Sequence, residues 1–168
     1  MTAVLVTGGG TGIGAAVARL LRAAGNEVAI LGRRPEALAS VAASTGAFDV
    51  ACDVSDAGQV EAAVSAVASR FGRLDGLVLN AGVMLPGGVA DLSLADWNAL
   101  VSVNLTGAFL VARCALPHQL ASRGAVVSVA SVAALARRVS RFELAGEPRR
   151  IRSNFTNGLK ALPVRVSA

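Results

Sequence analysis

Eight residues near the start constrain this chain more than any others: Thr7-Gly8-Gly9-Gly10-Thr11-Gly12-Ile13-Gly14 join an apolar run over 3–6 directly to a helical pattern. Strand, glycine turn and helix in that order describe a phosphate-binding turn. Gly8 permits a positive φ that a side chain resists, Gly12 lets the backbone approach a pyrophosphate, and Gly14 lets helix and strand pack closely. Past the turn, Ile13, Ala16, Val17, Leu20 and Leu21 recur at helical spacing on one face, as far as Gly25. The free amides of that first helical turn point at whatever anion sits there. A plain glycine loop is the alternative, and the surrounding strand and helix argue against it.

The spacing Thr7-Gly8-x-x-x-Gly12-x-Gly14 resembles the fingerprint of the short-chain dehydrogenase/reductase family, and later strand ends extend the resemblance. A second strand over 27–31 runs into Gly32-Arg33-Arg34-Pro35 and a helix over 36–43. In a doubly wound sheet this end lies beside the adenosine ribose, where an acid bonds the 2′-hydroxyl and arginine accommodates a 2′-phosphate. Two arginines and no acid stand here, so NADP(H) is expected over NAD(H); the alternative is a pair of solvated arginines at a helix start. A third strand over 48–52 delivers Asp53-Val54. Ser55 and Asp56 then mark a helix in which Val60, Ala63, Val64, Val67 and Phe71 keep the helical period until Gly72. The resemblance sets Asp53 and Val54 against the adenine, while a helix-entry carboxylate is the other reading. Residues 77–79 form a short buried strand ending in Asn80-Ala81-Gly82, which resembles the family's NAG motif, where small residues let the backbone come near the cofactor.

Ser93, with Asp96 three residues on, opens a helix expected over 94–116 that stops before Pro117. Trp97, Leu100, Val101 and Asn104 share one face. Trp97 is read as core, and an amide on an apolar stripe needs partners, so Asn104 has a structural or a catalytic job. Val103-Asn104-Leu105-Thr106-Gly107 resembles the family helix that contributes the asparagine of an Asn-Ser-Tyr-Lys tetrad. His118, the one histidine, is expected to cap a helix end or face water. A fifth strand over 125–129 ends at Ala130-Ser131, and Ser131 matches the family serine that hydrogen-bonds a substrate carbonyl. Every motif falls at the carboxyl end of a strand, the edge where open α/β sheets bind ligands. The expected fold over residues 1–136 is therefore a doubly wound parallel (Rossmann) α/β sheet in the order 3-2-1-4-5, helices on both faces.

Beyond that point the resemblance fails. The family uses a tyrosine phenol as general acid/base and a lysine four residues later that lowers the phenol's pKa and holds the nicotinamide ribose. This chain of 168 residues has no tyrosine. Where the YxxxK motif belongs stands Val139-Ser140-Arg141-Phe142-Glu143-Leu144-Ala145-Gly146-Glu147-Pro148. The one lysine, Lys160, follows Thr156, whose hydroxyl is far too weak an acid to replace a phenol. Charge shifts at the same boundary: residues 1–136 carry −1 and residues 137–168 carry +6. The basic segment shows no sustained apolar stripe and is expected to be irregular or loosely helical, leaving the sheet incomplete on that side. The helix pair with which family members oligomerise is missing too, so the oligomeric state stays open. Frameshift, truncation or divergence would each leave such a boundary. A basic tail invites nucleic acid or anionic membrane, but only Phe142 and Phe155 interleave it and it matches no known module, so neither partner is expected.

Hydrophobic residues make up 54%, yet the long charge-free stretches carry Asn, Gly or Pro, which argues against a spanning helix. No basic region followed by an apolar segment opens the chain, so no secretion signal is expected and the cytoplasm is the default. Cys52 and Cys114, without metal-ligand spacing, are expected as reduced, buried thiols and not as a metal site. The resemblance implies an oxidoreductase moving hydride between NADPH and a small-molecule carbonyl or alcohol, Ser131 polarising the carbonyl and Asn104 supporting a proton-relay water. The residues themselves supply no acid, and a dinucleotide- or partner-binding protein without turnover is the competing reading.

Overall fold

Ala3–Thr7 is an apolar run whose five residues are all buried, a pattern suited to a strand covered on both faces. The computed structural model describes residues 1–85 and 90–130, and four short strands beyond them. Strand β1 (Ala3–Thr7) lies at the centre of a parallel sheet with β2 (Glu27–Gly32), β3 (Phe48–Ala51), β4 (Gly76–Leu79) and β5 (Ala125–Ser128), ordered β3-β2-β1-β4-β5. This is the Rossmann arrangement expected from the sequence. Successive side chains of a strand point to opposite faces, and β1 shows the consequence. Val4 and Val6 pack with Ala15 and Ala18 of α1 (Gly12–Ala23) and Leu38 and Val41 of α2 (Pro35–Thr45). Leu5 packs in a separate cluster with Val60, Val64 and Val67 of α3 (Ala57–Phe71). Full burial of each such valine or leucine side chain stabilises the fold by about 1.5–3 kcal/mol.

Helix limits follow local chemistry. Asp56 caps α3, its side chain accepting from Gln59 N at 3.0 Å, and left-handed Gly72 (φ 69°) ends it. The helix expected over 94–116 is longer than that. Helix α4 (Leu94–Val101), a π-helical turn (Ser102–Gly107) and α5 (Ala108–Ser122) run on as one 29-residue helix, long and apolar enough to cross a membrane. Here α5 belongs to the core instead, with Val111 and Ala115 fully buried beside Leu5 and Leu77.

Several expectations are corrected by packing. The helix does not stop before Pro117, which sits inside α5. A proline there forfeits a backbone hydrogen bond at a cost of about 3 kcal/mol. The last turn is held from outside, because Gln119 Nε2 and Ser122 Oγ both donate to Leu74 O, at 3.2 and 2.7 Å. Trp97 is not core: it is 55% exposed, and no residue of α4 is buried. The face of α1 toward the sheet is Gly14, Ala15 and Ala18, while Ile13, Ala16 and Leu20 are exposed, because close approach of helix to sheet selects small residues. Cys52 is buried, but Cys114 only half so.

The segment expected to be irregular or loosely helical contains two antiparallel pairs, β6 (Arg141–Leu144) with β9 (Val164–Ser167) and β7 (Arg149–Arg150) with β8 (Leu159–Ala161). Apolar and polar residues alternate in both Arg141-Phe142-Glu143-Leu144 and Val164-Arg165-Val166-Ser167, the two-residue period of a strand, which a test for a helical stripe does not detect.

Strand β5 is an edge of the five-stranded sheet, with Val127 exposed, and Leu94, Trp97, Leu105 and Phe109 are exposed along the long helix. Unpaired strand edges and contiguous apolar surface promote association. The purified chain is expected to form heterogeneous oligomers at micromolar concentration in light scattering, and Val127→Lys to reduce them. A monodisperse, cooperatively melting monomer would contradict this.

Candidate functional site

The glycine turn after β1 is built from backbone packed on backbone. Gly8 has φ 67°, and a Cβ there would lie 3.0 Å from both Ala81 Cα and Asn80 Nδ2. A Cβ at Gly14 would lie 2.2 Å from Gly8 O and 2.6 Å from Asn80 Nδ2, so position 14 admits no side chain. Gly12 differs: its φ is 55°, but a Cβ would meet nothing within 4 Å. It faces open space at the start of α1. Thr11, the N-cap of α1, gives no side-chain hydrogen bond to the first turn, which also lacks an acidic residue. The helix N-terminus therefore offers donors and a positive dipole end to an anion.

The neighbouring turn after β4 is held by two side chains. Buried Thr7 Oγ1 accepts from Asn80 N and Ala81 N, both at 2.9 Å, and donates to Val78 O at 3.3 Å; Asn80 Nδ2 donates back to Thr7 O at 3.0 Å. From the other side, Asn104 Nδ2 donates to Val83 O at 2.9 Å and Val83 N donates to Asn104 Oδ1 at 2.8 Å. Asn104 lies in the π-helical turn, a rare element found mostly at functional sites. Both polar atoms of its amide are thus bonded to the backbone of Val83 and hold the segment after β4 against the π-helical turn. A Cβ at Gly82 would lie 3.2 Å from Asn104 Oδ1, so glycine leaves room for the pair.

At the ends of β2 and β3 the groups are charged. Arg33 and Arg34 line the cleft, and Arg34 Nη2 donates to Thr11 Oγ1 at 3.3 Å, bridging the end of β2 to the glycine turn. Asp53 Oδ1 accepts from Ser55 Oγ at 2.7 Å and Ser55 N at 2.9 Å. These bonds hold its carboxyl below the usual range, with the nearby Arg33 charge adding to the effect. Burial, then the charges of Asp53 and Asp56, push the Cys52 thiol up to about 11, so it is a neutral, apolar part of the wall.

A cleft of about 530 Å³ brings these turns together, lined by Gly8, Thr11, Ile13, Arg33, Arg34, Asp53, Val54, Asn80, Ala81 and Gly82. Thr7, Gly12 and Gly14 shape the turns behind it. Ser131, Thr156 and Lys160 lie outside the described residues. Gly10, Ala37, Cys52, Val83 and Val103 also line the cleft and were missed. Gly10 and Val103 lie inside motifs read from the sequence, and Cys52 and Val83 are each adjacent to one, whereas Ala37 carried no such signal. His118 lies away from the cleft, half-buried beside Pro117 and Arg113 in a groove between α3 and α5.

A family model described as short chain dehydrogenase matches residues 2–142. D-threitol dehydrogenase of Mycolicibacterium smegmatis is 41% identical over 136 residues, covering 77% of this chain and 52% of that protein. Meso-2,3-butanediol dehydrogenase of Serratia marcescens is 40% identical over 135 residues, covering 79% and 54%. The crystal structure of 3-ketoacyl-(acyl-carrier-protein) reductase from Brucella melitensis, complexed with NADH, superposes with TM-score 0.75 at 32% identity, covering 77% of this chain and 57% of that one. The chain spans about half the length of the curated relatives it matches.

Proposed function

Because the chain belongs to the short chain dehydrogenase family, we propose that residues 1–136 are a dinucleotide-binding domain that holds NADP(H) in preference to NAD(H), with 137–168 a distinct basic tail. The carrying observation is that Arg33 and Arg34 line the cleft at the end of β2, where the sequence supplies no carboxylate to bond a ribose 2′-hydroxyl. The fit extends along the cleft. The amides of the first turn of α1, beside uncovered Gly12, would hold the pyrophosphate; Asp53 and Val54 would hold the adenine; Asn80, Ala81 and Gly82 would flank the nicotinamide half.

When bound, the reduced cofactor supplies a hydride to a carbonyl carbon. Ser131 would donate a hydrogen bond to the carbonyl oxygen, and Asn104 would keep the Asn80–Val83 turn in place through its paired bonds to Val83. The substrate class is a small-molecule alcohol or carbonyl, as the names of the relatives print. The missing tyrosine favours binding without efficient turnover. We assign the chain to the cytoplasm, with neither nucleic acid nor membrane as a partner.

Titration of the purified chain with NADPH and NADH by cofactor fluorescence is the test. Charge-assisted bonds to phosphate contribute about 1.5–3 kcal/mol, so NADPH should bind roughly ten-fold tighter or more, and the Arg33→Ala/Arg34→Ala double variant should bring the two together. Equal affinities in the wild type would overturn the preference.

A further inference from the structure

Strand β5 has the sequence of an interior strand but stands at an edge. Ala125-Val126-Val127-Ser128, with Val129 beyond it, is the near-continuous apolar run of a parallel strand buried on both faces. In register with β4, Ala125 N donates to Asp75 O at 2.8 Å and Val129 N to Leu79 O at 2.9 Å. Alternate residues of a strand turn their backbone groups to the same side, so residues 125, 127 and 129 face β4. Val126 and Ser128 therefore direct their N–H and C=O to the free edge. The two faces of β5 differ as well. Val126 packs against the cluster that holds Val111 and Ala115 of α5, whereas Val127, paired with Val78 and pointing the other way, is 56% exposed. Strand β1, two places along the sheet and equally apolar, is buried throughout.

We propose that the free edge of β5 receives a strand of a second, separate polypeptide, one with the make-up of the part of the curated relatives that this chain does not match. The match takes in 52% of one relative and 54% of the other, so nearly half of each lies outside it. A remainder of that size is enough to extend a sheet and to lay helices on it. The chain's own later strands do not take the place, since β6 pairs with β9 and β7 with β8 in sheets of their own. A second copy of this chain would close the edge by pairing β5 with β5, but its helices already cover its own strands. A strand with a crossover helix, the unit from which parallel sheets are built, covers edge and face together. It would also give a partner to Leu94, Trp97, Leu105 and Phe109, which are exposed along the long helix.

The experiment co-expresses the full chain, tagged, with the untagged unmatched part of the Serratia marcescens relative and, separately, of the Mycolicibacterium smegmatis relative. Each part is used in a form that assembles with the matched part of its own protein. Captured species are weighed by native mass spectrometry without added cofactor, and a one-to-one heterodimer is expected. Ser128→Pro removes one outward N–H and leaves the bonds to β4 in place, at an edge position where a strand tolerates proline. It should cut the captured partner about ten-fold, because the lost donor leaves an acceptor of the incoming strand unpaired. Val127→Lys, which charges the bare face, should do the same and carries the test if Ser128→Pro does not fold. A heterodimer insensitive to both variants docks elsewhere and overturns the proposal. Recovery of the chain without either partner, as monomer or as homo-oligomer, overturns it too. Because no cofactor is present, a failure to bind NADPH would overturn the dinucleotide reading and leave this proposal standing.

Discussion

Gly14→Ala is expected to cost about 3 kcal/mol of stability, the upper part of the usual range for overpacking, and to lower the melting temperature by roughly 10 °C. The new Cβ would sit 2.2 Å from a backbone oxygen, Gly8 O, and no rotamer change relieves a contact with backbone. Against this, alanine in a helix gains at most about 1 kcal/mol over glycine, so the clash decides the sign. Gly12→Ala, two positions earlier, should behave differently. Its cost is the left-handed φ of 55° alone, about 1–2 kcal/mol, with no protein atom in the way. The variant should therefore fold and lose NADPH, because in the proposed site the first turn of α1 holds the pyrophosphate and a methyl at its start would crowd it. Thermal denaturation and cofactor titration of the two proteins separate folding from binding. A Gly14→Ala protein that melts like the wild type, or a Gly12→Ala protein that binds NADPH normally, would show that the turn is softer than its packing implies.

Gly8, Gly12 and Gly14 were legible in sequence because a glycine turn between strand and helix is short-range, and so were the strand ends at Arg33, Asp53 and Asn80. The pairing of Asn104 with Val83 was not, since it depends on a π-helical turn at Ser102–Gly107 that shifts the helix register, and no local pattern specifies that turn. The buried face of α1 was misread for another reason: periodicity weights large apolar residues, whereas a helix lying close to a sheet buries glycine and alanine and leaves Ile13 and Leu20 outside. Ile13 nevertheless lines the cleft, which gives its exposure a use that core packing does not. Trp97 was read as core from its place on an apolar stripe, but a stripe predicts burial only where another element covers it, and none covers α4 among the described residues. The bonding of Ser55 to Asp53 was half visible: the helix start was read, but the residue that caps α3 is Asp56, which leaves Ser55 free to bond backward.

Saturated with NADPH, the chain is expected to show no turnover of simple ketones or aldehydes above background, and the reason lies in the proton. As hydride reaches a carbonyl carbon, the oxygen becomes an alkoxide that must be stabilised and then protonated. In its proposed role Ser131 would offer one hydrogen bond, but a serine hydroxyl cannot give up its proton near neutral pH, and the sequence holds no phenol to do so. Loss of a positioned general acid typically removes about 10² to 10⁴ in rate, roughly 3–5 kcal/mol of barrier. Loss of the partner lysine, which in the family lowers the phenol's pKa and holds the ribose, adds to this. Binding does not compensate, because holding cofactor and substrate equally well in ground and transition states leaves the chemical step unchanged. The measurement is NADPH absorbance with and without added carbonyl, run beside Ser131→Ala. Oxidation that depends on the carbonyl and vanishes in that variant would mean another group delivers the proton, and Thr156 with Lys160, four positions apart, would then be the pair to mutate first.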